Sequence, residues 1–304
     1  MKKLLFIPLA IAFMLTACKK EGCMDSTALN YDKKAKKDDG SCQFEDQGPY
    51  LIVKIAFDSL APRLNNFGQP ATIPAENSAQ SPLFHSMSAH YIELAPTQYT
   101  ALQTGEIIYK GAETTVGGSR AADFNKAVVK GHNEVFARIP LKDIQAGTYE
   151  WVRVSVTYQN FDLKYKYNNI VSTGRLASFV GWNTYITSHK IRNVNETVNA
   201  NKLQGYWAFE DFGIVLNGQA AGTTVVNPLH STSPIPAGSC IVTGNFDTPL
   251  VLTGTETSDV TMTLSMSTNK SFEWFDANSD GLYEPGAGDY PVDMGLRGLK
   301  PIVE

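Results

Sequence analysis

The sequence predicts an all-β chain, an antiparallel β-sandwich with long loops, on three observations. Apolar and polar residues alternate with period two in several segments, and Gly, Pro, Asn and Asp punctuate the chain between them. No long amphipathic helix competes; the best helical stretch is a turn or two at 99–104. Period two with one polar face is the pattern of antiparallel sheet buried on one side, because successive side chains of a strand point to opposite faces.

The elements follow in chain order. Leu51, Val53, Ile55 and Phe57 alternate with Ile52, Lys54, Ala56 and Asp58. Strands are expected at 88–94, 106–110 and 134–139, then where Val152, Val154 and Val156 alternate with Arg153, Ser155 and Thr157. Further strands are expected at 162–168, 176–180, 184–191, 203–210, 240–246 and 249–253. The last strong alternation sets Val260, Met262, Leu264 and Met266 against Thr261, Thr263, Ser265 and Ser267. Segments 62–82 and 217–238, rich in Pro, Gly, Ala and Asn, read as long surface loops. They do not divide the chain, there is no internal repeat, and residues 49–304 read as a single large β-sandwich domain.

The N-terminal residues bear on location. Lys2 and Lys3 precede an apolar run from Leu4 to Leu15, too short for a permanent transmembrane helix, and the run ends in Leu15-Thr16-Ala17-Cys18. This resembles the bacterial lipobox. The resemblance implies that residues 1–17 are a lipoprotein signal peptide and that Cys18 receives lipid, whose buried methylenes anchor by about 0.8 kcal/mol each. Lys19, where an aspartate would direct otherwise, is similar to the sorting pattern of outer-membrane lipoproteins in Gram-negative bacteria. Lys19-Lys20-Glu21 resembles the surface-export signal of Bacteroidota lipoproteins. The expected location is the outer membrane, on its periplasmic side or at the cell surface. No later stretch is apolar enough for a transmembrane helix.

In such an oxidising compartment Cys23 and Cys42, which bracket a short polar loop, are expected to pair, stabilising it by roughly 3 kcal/mol. Cys240 is left over, at the start of an expected strand, and reads as a buried inert thiol. Gly22-Cys23-Met24-Asp25-Ser26-Thr27-Ala28-Leu29-Asn30-Tyr31, a lysine-rich stretch and Asp38-Asp39-Gly40-Ser41-Cys42 together resemble a cysteine-closed segment common in secreted and surface proteins of Bacteroidota. Residues 18–48 therefore read as a tether. Asp25, Asn30, Asp38 and Asp39 read as solvated loop groups, with a bound cation as the other reading.

The best chemical signal is Asp276-Ala277-Asn278-Ser279-Asp280-Gly281-Leu282-Tyr283-Glu284. Oxygen ligands at positions one, three and five with Gly at six match the opening half of a calcium loop, which folds alternate oxygens around one hard cation. The Leu282 carbonyl and the Glu284 carboxylate would continue the set. Position twelve of an EF-hand, a bidentate Glu, is Ala287 here, and the flanks 271–275 and 290–294 read as strands. The segment instead resembles calcium loops set in hairpins of secreted β-domains, which implies closure by an acidic residue further along, here Asp289. The expected ion is calcium in a structural role.

His85 and His90, five apart on one strand, are expected to face opposite sides, while His85 and Met87 sharing a face would suit copper. Ser88-Ala89-His90-Tyr91-Ile92-Glu93-Leu94 and Ala146-Gly147-Thr148-Tyr149-Glu150-Trp151-Val152-Arg153-Val154 resemble segments of the periplasmic MbnP-like copper-binding β-domain family. The resemblance implies a β fold and a copper-handling role as one alternative; the family's metal ligands have no assigned position here. Aromatic residues cluster from Tyr158 to Phe209 and read mainly as core. Trp182, in the Gly181-Trp182-Asn183 turn, is the best candidate for an exposed ring that stacks on a glycan.

A net charge of -4 over 304 residues argues against a nucleic-acid partner, and 43% hydrophobic content supports a real core. The chain lacks a G-x-S-x-G elbow, H-E-x-x-H, a phosphate loop and a dinucleotide fingerprint. Glu210 and Asp211 are adjacent on an expected strand and point to opposite faces, which makes a poor acid/base couple. The expected function is that of a non-catalytic cell-envelope lipoprotein, held to the membrane through its lipid. Its calcium-stabilised β-domain would bind a glycan or an envelope protein, or serve a structural role.

Overall fold

The computed structural model describes residues 20–25, 28–43, 48–65, 67–220, 229–232 and 236–304. The expected signal peptide and the expected lipid site, Cys18, lie outside the described residues. The chain divides into two compact units, 1–47 and 48–304.

In the first unit Cys23 and Cys42 form the expected disulfide, with Cα atoms 4.7 Å apart. Asn30 donates its side-chain amide to the Ser41 carbonyl and accepts the Gln43 N–H, both at 2.6 Å. Asp38 and Asp39 accept the N–H groups of Gly40 and Ser41. Such bonds from Asx side chains to nearby backbone are what holds a turn without regular structure.

Among the described residues, the regular structure of the second unit is all strand apart from single turns of 3-10 helix, as the alternation predicts. In chain order it runs β1 (Tyr50–Asp58), β2 (Asn77–Gln80), β3 (Leu83–Ala95), β4 (Glu106–Lys110), β5 (Glu113–Thr114), β6 (Ala121–Asp123), β7 (Val129–Lys130) and β8 (Val135–Pro140). It continues with β9 (Gly147–Tyr167), β10 (Ile170–Phe179), β11 (Asn183–Lys190), β12 (Asn195–Leu203), β13 (Tyr206–Asp211) and β14 (Ile214–Gln219). The last strands are β15 (Cys240–Leu252), β16 (Val260–Ser267), β17 (Phe272–Phe275), β18 (Tyr290–Met294) and β19 (Leu299–Val303). The 99–104 stretch is two successive turns, closed by Thr100 N–H to the Thr97 carbonyl and Thr104 N–H to the Ala101 carbonyl.

One sheet has the order β19-β16-β1-β8, and a larger one the order β14-β13-β10-β9-β3-β4. Their facing apolar rows make the main core: Leu51, Val53, Ile55, Met262 and Leu264 from one, Ile92, Leu94, Val152, Val154 and Val156 from the other. Each such side chain contributes roughly 1.5–3 kcal/mol by leaving water. The antiparallel expectation holds for most pairs, but β1 and β16 run parallel, as do β6 and β11. Two smaller sheets, β12-β11-β6-β5 and β18-β17-β2, complete the fold. A second core, with Tyr158, Phe179, Ile186 and Tyr206, lies between strands of the larger sheet and β11.

Strand β9 organises the site. Its first half pairs with β15 and its second half with β10, while β3 runs along the other edge. The β3–β9 register slips at three places, next to His85, Ala89 and His90. Each slip is a β-bulge, which re-aims the side chains around it. The apolar row of β3 therefore changes parity, from Phe84 to Met87 and Ala89 and then to Ile92 and Leu94.

Two expectations change with this. His85 and His90 stand on the same side of the sheet, since Phe124 lines cavities beside both. Met87 is buried in the main core while His85 pairs with Asp162, so the expected His85–Met87 face does not form. The polar rows are also not open to water. Glu93, Arg153, Ser155 and Thr157 are buried, covered in part by the 97–105 segment through a Gly105 N–H to Glu93 bond and an Arg153 to Gln98 carbonyl bond.

Candidate functional site

On that covered polar face lies a pocket of about 280 Å³ lined by His90, Tyr91, Gln103, Arg120, Ser155, Trp182 and Pro236. Its floor is a cross-strand pair, Tyr91 on β3 opposite Ser155 on β9. Its wall is the half-buried indole of Trp182. The turn carrying Trp182 is pinned where β9 changes partner: Val180 and Gly181 both donate N–H to the Thr157 carbonyl, at 2.9 and 3.3 Å. Glycine suits this close approach, because a Cβ at 181 would press on Thr157 and Thr184 at 3.2 Å. The Trp182 ring centroid comes to rest 6.4 Å from that of His90.

His90 is held by a charge relay. Its Nε2 stands 2.9 Å from Glu113 Oε1. Arg120 grips the same carboxylate through Nε at 2.5 Å and Nη2 at 2.8 Å. The Arg120 fork holds the Glu113 carboxyl down at about 2. Burial pushes the His90 imidazole below its usual range, against the pull of Glu113. An ionised carboxylate only accepts, so Nε2 carries the proton of a neutral imidazole and Nδ1 is left as an acceptor. The Ser155 hydroxyl and the Gln103 side-chain amide make no hydrogen bond to another described residue. The pocket thus offers one aromatic face, a neutral imidazole, a hydroxyl, an amide and a guanidinium to whatever enters it.

Beside the floor pair, on the same face of the sheet, Glu93 and Arg153 form a buried ion pair at 3.7 Å. The Tyr91 hydroxyl is buried nearby, with no hydrogen-bond partner among the described residues. Burial, with the nearby Glu93 charge, raises its pKa.

The residues expected to hold calcium do come together, in the turn between β17 and β18. Asp276 accepts the N–H groups of Gly281 and Asp280, at 2.8 and 3.2 Å, and the Ser78 hydroxyl at 2.7 Å. Asp289 lies against the same loop, accepting the N–H of Glu284 at 2.7 Å and of Ala277 at 2.9 Å. Asn278 Oδ1 accepts the Asp280 N–H, and Asp280 accepts the N–H of Leu282. Positive charge is supplied by Lys166 of β9, whose ammonium is 2.8 Å from Glu284 and 3.3 Å from Asp280. The all-oxygen donor set suits a hard cation. In this geometry, though, the carboxylates face backbone N–H groups and Lys166, and among the described residues no three His, Cys, Asp or Glu side chains are grouped as metal ligands.

Glu210 and Asp211 separate as expected. Glu210 accepts the backbone N–H groups of Arg192, Asn193 and Val194, and Asp211 accepts the hydroxyls of Tyr165 and Ser172. Cys240 is half-buried, and desolvation pushes its thiol up to about 12. Sequence reasoning singled out Trp182 but missed Gln103, Glu113, Arg120 and Ser155. The only signal for Ser155 was its polar place in a strong alternation, and the other three lie in or beside loops.

No family model matches the chain, and no match was found among curated proteins or among solved structures.

Proposed function

We propose that this protein is a lipid-anchored envelope protein whose second unit is a non-catalytic binding module, and that the Trp182 pocket takes a single sugar unit of a glycan. The observation that carries this reading is the pairing of the half-buried Trp182 ring with unengaged hydrogen-bonding groups on Ser155 and Gln103. A sugar presents an apolar face of C–H groups and a rim of hydroxyls, and it needs both kinds of surface at once. The volume is near the lower end of small-molecule sites, which run from roughly 300 Å³ upward, so one ring fits better than a chain. Anchoring rests on the lipobox resemblance at Cys18.

The test is a titration of tryptophan fluorescence and calorimetry against neutral and acidic mono- and oligosaccharides, guided by a glycan array. Trp182→Ala is expected to weaken binding by tenfold or more, as a buried aromatic anchor would, with folding intact by circular dichroism. Silence across the array, or an unchanged affinity in Trp182→Ala, removes the reading. Labelling with a fatty-acid probe tests the anchor, and loss of label in Cys18→Ser is the expected result.

The Asp276–Asp289 loop supports a second reading, as a structural calcium loop. Calcium is expected to raise the melting temperature over EDTA and to lose that effect in Asp276→Asn. Metal analysis separates this from a copper-handling role: copper at one per chain without calcium would favour the MbnP-like relation.

A further inference from the structure

Among the described residues, the strands that end each sheet's path are guarded, with one exception. Unpaired backbone along a terminal strand is a template for another strand, and proteins usually blunt it with charges, prolines or shortness. Among the described residues, β19 carries Lys300 and Pro301, β8 carries Arg138 and Pro140, and β4 carries Glu106 and Lys110. Strand β12 carries Glu196 and Lys202, β18 carries Pro291 and Asp293, β5 carries Glu113, and β2 has only four residues. Strand β14 ends the largest sheet and reads Ile-Val-Leu-Asn-Gly-Gln, with neither charge nor proline.

The side chains around that edge are apolar and uncovered. Tyr167, Ile170, Phe212, Ile214 and Leu216 are each between 59% and 87% exposed. With Phe209 they line a groove of about 520 Å³ on one face of the sheet end. The one acidic group in it, Asp211, is buried and sheltered by the Tyr165 and Ser172 hydroxyls, each at 2.7 Å. The groove face therefore presents apolar side chains beside an open run of backbone groups, and the Glu196 carboxylate that reaches the strand is taken up by the Asn217 side-chain amide.

We propose that β14 pairs antiparallel with β14 of a second copy of this chain, so that one continuous sheet crosses a two-fold axis. An identical strand is its own complement under a two-fold axis, as an isologous interface requires. Ile214 and Leu216 of each copy then stand beside those of its mate on the same face, where directly opposed Cβ atoms are about 5 Å apart. A lipid leaflet would cover the side chains but leave the strand's N–H and C=O groups unmatched. The contact is a six-residue strand with its flanking side chains, on the order of 1,000 Å² in total, the lower limit for a specific interface. A dimer of micromolar strength follows.

The full chain, purified in mild detergent, is expected to go from monomer to dimer by sedimentation between roughly 1 and 100 µM. Amide exchange along β14 is expected to slow over the same range. Ile214→Lys and Leu216→Lys place a charge at the edge of an exposed strand and are expected to abolish dimerisation with the melting temperature unchanged. Leu216→Cys is expected to give a disulfide-linked dimer in non-reducing gels, and Val116→Cys, exposed elsewhere, none. The proposal is overturned by a monomer at every concentration or by a dimer that both lysine variants leave intact. A monomer that instead takes up phosphatidylcholine vesicles through this face also overturns it. If either lysine variant fails to fold, the wild-type exchange and Leu216→Cys capture decide.

Discussion

The Glu113 relay makes a prediction whose size and sign follow from the geometry. Glu113→Gln keeps the shape of the side chain and removes its charge. In the folded protein the Arg120 fork and the His90 bond hold this carboxyl at about 2, against an ordinary 4.5. A shift of that size corresponds to roughly 3 kcal/mol at full strength. Arg120 is largely exposed, and solvent screening reduces the contribution to about 1 kcal/mol. A depressed carboxyl stabilises fully above its unfolded value and loses that stabilisation as pH falls through the folded one. The wild type should therefore exceed Glu113→Gln by about 1 kcal/mol at pH 7, worth roughly 2–4 °C in melting temperature for a domain of this size. The gap should narrow steadily from about pH 5 and vanish near pH 2. Urea unfolding of both forms at a series of pH values reads the difference. Equal stability at pH 7, or a gap that stays constant down to pH 3, would refute the relay. His90 supplies an independent readout: its imidazole should titrate lower in Glu113→Gln by NMR, because the carboxylate that favours its protonated form is gone.

Other outcomes follow from single positions. Tyr91→Phe removes a buried hydroxyl that has no partner among the described residues and should raise stability by about 1 kcal/mol; calorimetry showing a loss instead would mean the hydroxyl is bonded. Gly244→Ala would place a Cβ 2.3 Å from the Leu299 carbonyl oxygen, a backbone clash between β15 and β19 that should cost about 1–3 kcal/mol in urea unfolding. Cys240 should resist iodoacetamide at pH 8 in the folded state and react once unfolded, since its thiol is pushed up to about 12. Lys166→Met leaves Asp280 and Glu284 without their ammonium; the variant should melt lower in EDTA and gain more from added calcium than the wild type does.

Much of the fold was legible because strand burial is a local property. The rows Leu51-Val53-Ile55, Val152-Val154-Val156 and Met262-Leu264-Met266 each recur with period two, and each is core. The Cys23–Cys42 bond and the strands flanking the Asp276 loop were equally local. Strands β12 and β14 escaped notice because Asn-Glu-Thr-Val-Asn-Ala-Asn-Lys-Leu is mostly polar and Ile-Val-Leu-Asn-Gly-Gln sits inside a stretch rich in loop formers.

The sequence by itself determined which residues prefer a pleated, half-buried surface, because alternation is written in adjacent positions. Only the tertiary structure decided what lies over the polar rows. A row such as Arg153-Ser155-Thr157 reads the same whether water or another part of the chain covers it, and here 97–105 contributes to the cover. Bulges at the β3–β9 seam likewise leave no mark in composition, since a bulge depends on how two strands fit together. Those slips turn His90 toward Trp182, residues ninety-two positions apart in the chain, and so create a pocket that no single segment encodes.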